Sequence, residues 1–287
     1  MDAAHRIVEV DQGNGVGYVP PATLRAIADF ASSLKARLAQ LLSPRPGECL
    51  LDVGCGPGLD TFALAPLVYP GGVVAGLDLN VDMLRHAEAL TRPQGDRVSI
   101  AHVGGDGTSL PFLDAAFDGC RCERVFQHTC NAEALAAELV RVTKPGGRIV
   151  VADTDWASLS IDCLDAALER RIVAAVGGYW CNGYAGRQLR RLMTSAGLAI
   201  ERTEVWPVWW TDLATFRRTS FPSTGADRHL RTMGRLGATD LLRFDDLLGK
   251  ADRTGRFFAS ASLVLIAGRK PIPSRARHFR LTDQSRN

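Results

Sequence analysis

Three acidic residues are the best candidates for chemistry in this sequence, because each ends or follows a short apolar run. They are Asp52, Asp78 and Asp106. If the runs are parallel strands of one sheet, their carboxyl ends meet at one edge, where open sheets bind their ligands. Asp78, at the end of the second run, is placed to accept hydrogen bonds from both hydroxyls of a ribose. One such acid alone could be a solvated turn residue, but three around one crevice favour a binding site.

A glycine-rich loop follows the first apolar run in the stretch LLDVGCGPG. Gly54, Gly56 and Gly58 allow the backbone to turn sharply and to come close to a ligand. The helix expected next directs its free N–H groups to the same place. Leu59 occupies the position of the third glycine of the dinucleotide fingerprint, which disfavours NAD and FAD, and the P-loop lysine is missing. A merely tight strand-to-helix turn is the alternative for the loop alone.

The elements that must position these residues alternate between strand and helix. Strands are predicted at 49–53, 73–79, 97–103, 117–125 and 148–152, and helices at 23–42, 59–67, 81–90 and 132–142. This alternation is typical of right-handed crossovers and a parallel sheet, which predicts an α/β fold.

The regular alternation of predicted strands and helices becomes weaker beyond residue 153. Helices are expected at 162–176 and 186–196, strands at 199–206 and 258–267, and an irregular helical cover over the sheet edge at 211–250. The predicted organisation is therefore N-terminal cap helices at 1–46, a ligand-binding core at 47–155, the rest of the sheet with a helical cover at 156–270, and a loosely ordered tail at 271–287.

Composition excludes several classes of function. A net charge of +3 without a dense basic stripe before the tail argues against nucleic acid. No apolar run approaches the ~20 residues that span a bilayer, and the polar, acidic first residues do not resemble a secretory signal. We therefore expect a cytoplasmic protein. Seven scattered cysteines without a paired C-x-x-C make a disulfide framework and a zinc site improbable, and no metal is expected.

Four motifs together resemble the class I S-adenosylmethionine-dependent methyltransferases, in particular the branch of ubiquinone/menaquinone-biosynthesis and small-molecule methyltransferases. They are LLDVGCGPG, VVAGLDLNVDML, GGDGTSLPFLDAAFDGCRCERVFQH and ELVRVTKPGGRIVVAD, which cover residues 47–153 densely. The resemblance implies a Rossmann-like, seven-stranded, mostly parallel sheet with an antiparallel last strand and a helical cover. It also implies S-adenosyl-L-methionine as the cofactor.

The resemblance further implies a cofactor site. The backbone of Gly54, Cys55, Gly56 and Gly58 would pass beneath the methionine and ribose, with Asp52 at its base. Asp78 would hold the ribose hydroxyls, Leu79 and Met83 would pack on the adenine, Asp106 and Gly107 would contact its polar edge, and Glu123 would lie by the methionine. Tyr18 could close over the methionine, or could belong to a solvated lead-in.

The expected reaction is an in-line methyl transfer, for which the protein supplies position and electrostatics. A base assists if the acceptor is a hydroxyl or a protonated nitrogen. His128 follows the fourth strand, near where the methyl should emerge, and is the candidate base. It could instead order its loop or pack beside the cofactor. His102 lies within the third strand and is expected to be structural.

Aromatic residues after the fifth strand favour a small, largely apolar or aromatic acceptor. The candidate acceptor-site residues are Gln127, Trp156, Tyr179, Trp180, Tyr184 and Trp209. The same rings could instead form the core beneath the cover.

Two other functions remain open. Some relatives keep the cofactor and catalyse a cyclisation or an elimination, and a nicotinamide-dependent oxidoreductase would share the architecture. VFQH stands where amide-nitrogen and adenine methylases carry N-P-P-[YF], which argues against DNA as the acceptor. The expected partner is a small molecule rather than nucleic acid or membrane, and a homodimer is left open.

Overall fold

One mixed sheet organises the molecule. The computed structural model describes residues 21–92, 99–220 and 236–273, and within these ranges seven strands pair in the order β3-β2-β1-β4-β5-β7-β6. The strands are β1 Cys49–Val53, β2 Val73–Asp78, β3 Ile100–Gly104, β4 Phe117–Glu123, β5 Thr143–Ile161, β6 Ala199–Trp210 and β7 Ala259–Arg269. Strands β1 to β5 pair in parallel, and β7 runs antiparallel to both β5 and β6. The predicted fold class is thus confirmed.

The helices lie where the apolar periodicity predicts them, with shifted ends. They are α1 Pro21–Phe30, α2 Ser32–Leu42, α3 Leu59–Val68, α4 Val81–Thr91, α5 Ala132–Val142, α6 Ala166–Gly177, α7 Ala185–Ser195, α8 Leu213–Thr219 and α9 Ala238–Arg253. The single helix predicted at 23–42 is two helices, because the chain leaves helical geometry at Ala31. The break lets α1 contact α8 while α2 packs against β5.

Both faces of the sheet are covered, as a parallel sheet requires. On one face, α5 and α7 pack leucines such as Leu135, Leu139 and Leu189 against Leu51 and Val151. On the other face, α2 and α3 bury a second set of leucines, valines and alanines, among them Leu34, Leu38, Leu42, Leu50, Leu64, Val74 and Val150. Neighbours Leu50 and Leu51 serve opposite faces because side chains alternate along a strand.

The strands at the end of the sheet extend further than the sequence predicts. Strand β5 continues to Ile161 and β6 to Trp210, whereas the sequence predicts their ends at 152 and 206. The pairing of β5 with β7 shifts between Asp155 and Ser160, which marks a bulge. Beyond it the strand extensions join α6, α8 and α9 around a third core of large side chains, including Trp156, Trp180, Trp210, Phe216, Phe244 and Phe257.

Cysteine spacing did not reveal one covalent link. Cys130 and Cys181 form a disulfide, with their Cα atoms 5.4 Å apart. The two residues lie 51 positions apart, so only the fold brings them together. Cys120 and Cys122, by contrast, are fully buried among apolar side chains, as their spacing on a strand suggests.

Among the described residues, no helix combines the length and the apolar character that crossing a membrane demands.

Candidate functional site

The carboxyl ends of four parallel strands meet at one edge of the sheet. Val53 of β1 is level with Leu77 on one side and with Cys122 on the other. Asp78 is level with Gly104 of β3. The loops that follow these strands therefore lie side by side, as the positions of the acids predict.

The glycine loop folds back onto the end of β2. The amides of Gly54 and Cys55 both donate to the carbonyl of Leu77, at 2.7 and 3.0 Å. Gly54 has φ +73°, and a Cβ atom there would collide with the side chain of Val125. Packing against the loop after β4, as well as backbone conformation, thus requires this glycine.

Asp78 joins the glycine loop to the start of α4. Its Oδ2 accepts from the Gly56 amide and its Oδ1 from the Asn80 amide, both at 2.8 Å. Burial raises the pKa of Asp78, and these amide hydrogen bonds oppose that rise. Each carboxylate oxygen retains a second lone pair, so Asp78 can still accept from two ligand hydroxyls. Leu79, 53% exposed, adjoins it, while Met83 is buried.

The loop after β3 lies beside Asp78. The Gly105 amide donates to the Asp78 carbonyl at 3.1 Å. Asp106 is exposed, and its Oδ1 accepts from the Thr108 amide at 2.8 Å. A Cβ at Gly107 would lie 3.0 Å from Leu135, so the backbone packs closely there. Asp106 is therefore presented to solvent next to the end of β2.

Asp52 is engaged within the protein rather than facing an open crevice. Its Oδ2 accepts from Thr61 Oγ1 at 3.0 Å and its Oδ1 from Arg121 Nη1 at 2.9 Å. Asp52 and Arg121 are both buried. A neutral hydroxyl and a positively charged guanidinium thus both donate to the carboxylate. A buried charge requires such partners.

Glu123 belongs to the same buried charge network, which we define as Lys35, Asp52, Asp60, Arg121 and Glu123. Its Oε2 accepts from Arg121 and, at 3.1 Å, from Lys35 Nζ, which also contacts Asp60. Burial alone would raise the pKa of Glu123, but the neighbouring cations hold it at about 2. Its buried Oε1 has no hydrogen-bond donor in the described part of the chain, and its ion-pair partner there is Arg124 Nε at 3.4 Å. This ionised oxygen therefore keeps its capacity to accept a hydrogen bond from a ligand.

Gln127, in the loop after β4, links two candidate residues. Trp156 Nε1 donates to Gln127 Oε1 at 2.8 Å, and Gln127 Nε2 lies 3.1 Å from His128 Nε2. Crowding by protein atoms, together with the charge of Arg124, lowers the pKa of His128 to about 4. His128 as a whole is nevertheless an exposed residue.

The predicted acceptor residues divide between two places. Trp156 stacks on Trp180 with ring centroids 5.4 Å apart, and Tyr179 meets Trp180 edge-on. Tyr184 is the residue that precedes α7, and its exposed ring lies under Arg187. Trp209, by contrast, is 58% exposed on the edge strand β6, two strands from β5. Tyr18 lies outside the described residues.

The sequence did not predict the residues whose ionic partners lie far along the chain. Lys35 and Arg121 were not predicted, although a lone arginine within the apolar strand FDGCRCE signals a buried acidic partner. Asp153, at the inner part of β5, accepts from the amides of Gln127 and Thr154 at 3.2 and 2.8 Å. Burial raises the pKa of Asp153 to about 7.

Comparison with known proteins finds a family model that matches the part of the chain that carries these loops. Residues 51–151 match the model of the family described as "Methyltransferase domain". An uncharacterized 37.1 kDa protein in transposon TN4556 of Streptomyces fradiae is 39% identical over 176 residues, 61% of this chain and 50% of that protein. The 24-methylenesterol C-methyltransferase 2 of Oryza sativa subsp. japonica is 32% identical over 155 residues, 54% of this chain and 42% of that protein.

The fold is likewise found among solved structures. The crystal structure of a protein from Bacillus halodurans C-125 has a TM-score of 0.61 and 22% identity, and covers 84% of this chain and 100% of that one. The present chain spans half or less of the length of the two curated relatives. The match of residues 51–151 to a methyltransferase domain confirms the resemblance that the motifs indicate.

Proposed function

We propose that the protein is an S-adenosylmethionine-dependent methyltransferase acting on a small, largely apolar or aromatic acceptor. The placement of Asp78 carries this proposal. Its carboxylate is oriented by the Gly56 and Asn80 amides, and it keeps lone pairs for two hydroxyls. The match of residues 51–151 to a methyltransferase domain supports the same reading.

Glu123 provides an independent test of fit for this cofactor. The ionised Glu123 pairs with Arg124 Nε through its buried Oε1 at 3.4 Å, but this oxygen accepts no hydrogen bond among the described residues and can still accept one from a cationic donor. The ammonium group of a methionine moiety is such a cation. When bound, S-adenosylmethionine supplies a methyl group activated by a positively charged sulfur.

The chain's own residues would then bind and orient the cofactor. Gly54, Cys55, Gly56 and Gly58 form the loop beneath it, with Asp52 anchoring the loop from inside. We assign the ribose to Asp78, the adenine to Leu79, Met83, Asp106 and Gly107, and the ammonium to Glu123. The exposed apolar side chain of Leu79 suits a flat ring, since it lies beside Asp78 at the surface.

The acceptor is assigned to the side of the loop after β4. Gln127, Trp156, Tyr179 and Trp180 form one connected aromatic cluster there, with His128 edge-on to Trp180 at 5.0 Å. Aromatic walls favour apolar or aromatic ligands. Tyr184 adjoins this cluster in sequence, and Trp209 is the least supported member of the predicted set because of its place on β6.

Calorimetry with S-adenosylhomocysteine tests the cofactor site. Asp78→Ala should weaken binding by about 2–3 kcal/mol, because it removes charge-assisted hydrogen bonds. Asp82→Ala is the matched control, since it removes an equal charge from the exposed first turn of α4 and should leave affinity nearly unchanged. If the unmodified protein releases no heat with this nucleoside, the proposal fails.

Transfer of labelled methyl from S-adenosylmethionine to hydroxylated aromatic compounds tests the reaction itself. Label in the product is expected. Conversion of the compound without label would favour a cyclisation or an elimination instead.

A further inference from the structure

The hydrogen bonds around Gln127 have a defined direction. Indole Nε1–H is a donor only, so the atom of Gln127 that faces Trp156 at 2.8 Å is the amide oxygen. The amide nitrogen must then face His128 Nε2 at 3.1 Å. An amide nitrogen donates and cannot accept, so His128 Nε2 is the acceptor and carries no proton.

Protonation of the ring follows from this geometry. With Nε2 unprotonated, the imidazole is neutral and its single proton resides on Nδ1. The cation of Arg124 and the surrounding protein act in the same sense, because both disfavour imidazolium. The carboxylate of Asp153 does not reverse this effect, since it accepts the backbone amides of Gln127 and Thr154.

Gln127 is itself held in place at its backbone. Its amide donates to Asp153 Oδ2 at 3.2 Å, and its carbonyl accepts from the Asn182 amide at 3.0 Å. Its side chain is buried between the rings of Trp156 and His128. A residue fixed at both its main chain and its side chain can set the orientation of its neighbour.

We propose that Gln127 is a positioning residue that fixes His128 as the neutral Nδ1–H tautomer, so that His128 acts as a hydrogen-bond donor and not as a base. Its basic lone pair is occupied by the Gln127 amide. The acceptor molecule would then carry an oxygen that accepts from His128, such as a carbonyl or a carboxylate. The part concerning the acceptor rests on the proposed methyl transfer, whereas the tautomer does not.

Nuclear magnetic resonance of protein with ¹⁵N-labelled histidine tests the tautomer directly. Protonated and unprotonated ring nitrogens have distinct shifts, and His128→Ala identifies the signals among the six histidines. We expect Nδ1 protonated and Nε2 unprotonated in the unmodified protein at neutral pH. A protonated Nε2 would overturn the proposal, whether or not any nucleoside binds.

Two substitutions change the hydrogen bonds that fix the tautomer of His128. Gln127→Glu keeps an oxygen for Trp156 but presents a carboxylate to His128, so the ring proton should move to Nε2 and the pKa of His128 should rise. Gln40→Glu on α2 is the matched control, because exposed Gln40 contacts Arg37 and should leave His128 unchanged. Trp156→Phe removes the indole donor and should give a mixture of tautomers. An unchanged tautomer in Gln127→Glu contradicts the proposal.

Rates of methyl transfer in variants of His128 distinguish a hydrogen-bond donor from a general base. Asparagine places an N–H close to the position of Nδ1 but cannot take up a proton. His128→Asn should therefore keep turnover within about tenfold of the unmodified enzyme, whereas loss of a general base costs about 10²-fold or more. Equal loss in His128→Asn and His128→Ala would assign His128 as the base.

Discussion

The middle of the sheet and the cover, which is formed by α6, α8, α9 and the strand extensions, are stabilised by different interactions. Beside the glycine loop, the buried charge network joins helix α2, helix α3 and strands β1 and β4. In the cover, the third core is made of aromatic and aliphatic side chains, and its charges lie outside. Arg171 and Asp240, for example, pair in a bidentate fashion at the surface between α6 and α9. Charges are thus structural in the middle of the sheet and solvated in the cover.

This difference suits the proposed division of labour. A buried ion pair is stabilising only when its geometry is good, so it tolerates few arrangements. The network thereby fixes Glu123 and the end of β1, which precedes the glycine loop, in one position. An apolar core depends mainly on volume and pattern, so it accepts more changes in shape. The cover is accordingly the part that can vary with the acceptor.

The largest effect is expected where the charge network loses its central cation. Arg121→Met leaves the buried Asp52 and Glu123 short of a partner and should destabilise the fold by about 3–5 kcal/mol, measured by urea unfolding at pH 7. Arg85→Met, at an exposed pair with Asp82, is the control and should cost less than about 1 kcal/mol.

The pH dependence of the destabilisation in Arg121→Met distinguishes charge pairing from packing. In the folded protein the pKa of Glu123 lies at about 2, below its ordinary 4.5. The stabilisation is therefore complete above pH 4.5 and is lost as the pH falls towards 2. The difference in the free energy of unfolding between Arg121→Met and the unmodified protein should therefore decrease as the pH falls from 4.5 towards 2. A difference that is independent of pH would mean that Arg121 acts by packing alone.

Removal of the disulfide tests how much the covalent link between the two regions contributes to stability. Cys130 follows β4 and Cys181 precedes α7, so the bond joins the glycine-loop side to the cover. Closing a loop of 51 residues restricts the unfolded chain by about 4 kcal/mol on the chain-entropy model. Cys130→Ser with Cys181→Ser should lower the free energy of unfolding by about 2–4 kcal/mol while leaving nucleoside affinity unchanged.

Thiol counting provides the check on this link. Alkylation of the unfolded, unreduced protein should label five cysteines, and alkylation after reduction should label seven. Seven labelled thiols without reduction would show that the bond is absent. Cys49→Ser, at a free thiol, is the control for loss of a cysteine.

How much the sequence predicts differs between the same two regions. Strands β1 to β4 and their loops follow from apolar runs, glycines and acids that are close in sequence, and the site at their ends was predicted from them. The extensions of β5 and β6 were not, because TDWASLSI and EVWPVWW are polar or interrupted by proline and become strands only through pairing with β7. The same limit hid Lys35 and Arg121, whose partners lie far along the chain.

A core substitution in the cover should give a loss of a different kind. Phe216 is fully buried on α8, edge-on to Trp210 and near Phe257. Phe216→Ala removes apolar contacts and leaves a cavity, at a cost of about 3 kcal/mol, since neighbouring rings can partly fill it. Unlike the loss in Arg121→Met, this one should not change as the pH falls from 4.5 towards 2. A weaker affinity for S-adenosylhomocysteine in this variant would show that the two regions are not energetically separate.

The smallest effect is expected for a surface charge pair of the cover. Lys250 Nζ and Asp246 Oδ2 lie 2.6 Å apart on successive turns of α9, with both side chains more than half exposed. Solvent and side-chain entropy weaken such pairs, so a double-mutant cycle of Asp246→Ala and Lys250→Ala should give a coupling of about 0.3–0.5 kcal/mol. Added salt should abolish it, because counter-ions screen exposed charges. The coupling of Arg121 with Asp52, measured by the same cycle, should survive that salt. If both couplings vanish together, the charge network is as solvated as the surface of the cover, and the contrast between the middle of the sheet and the cover fails.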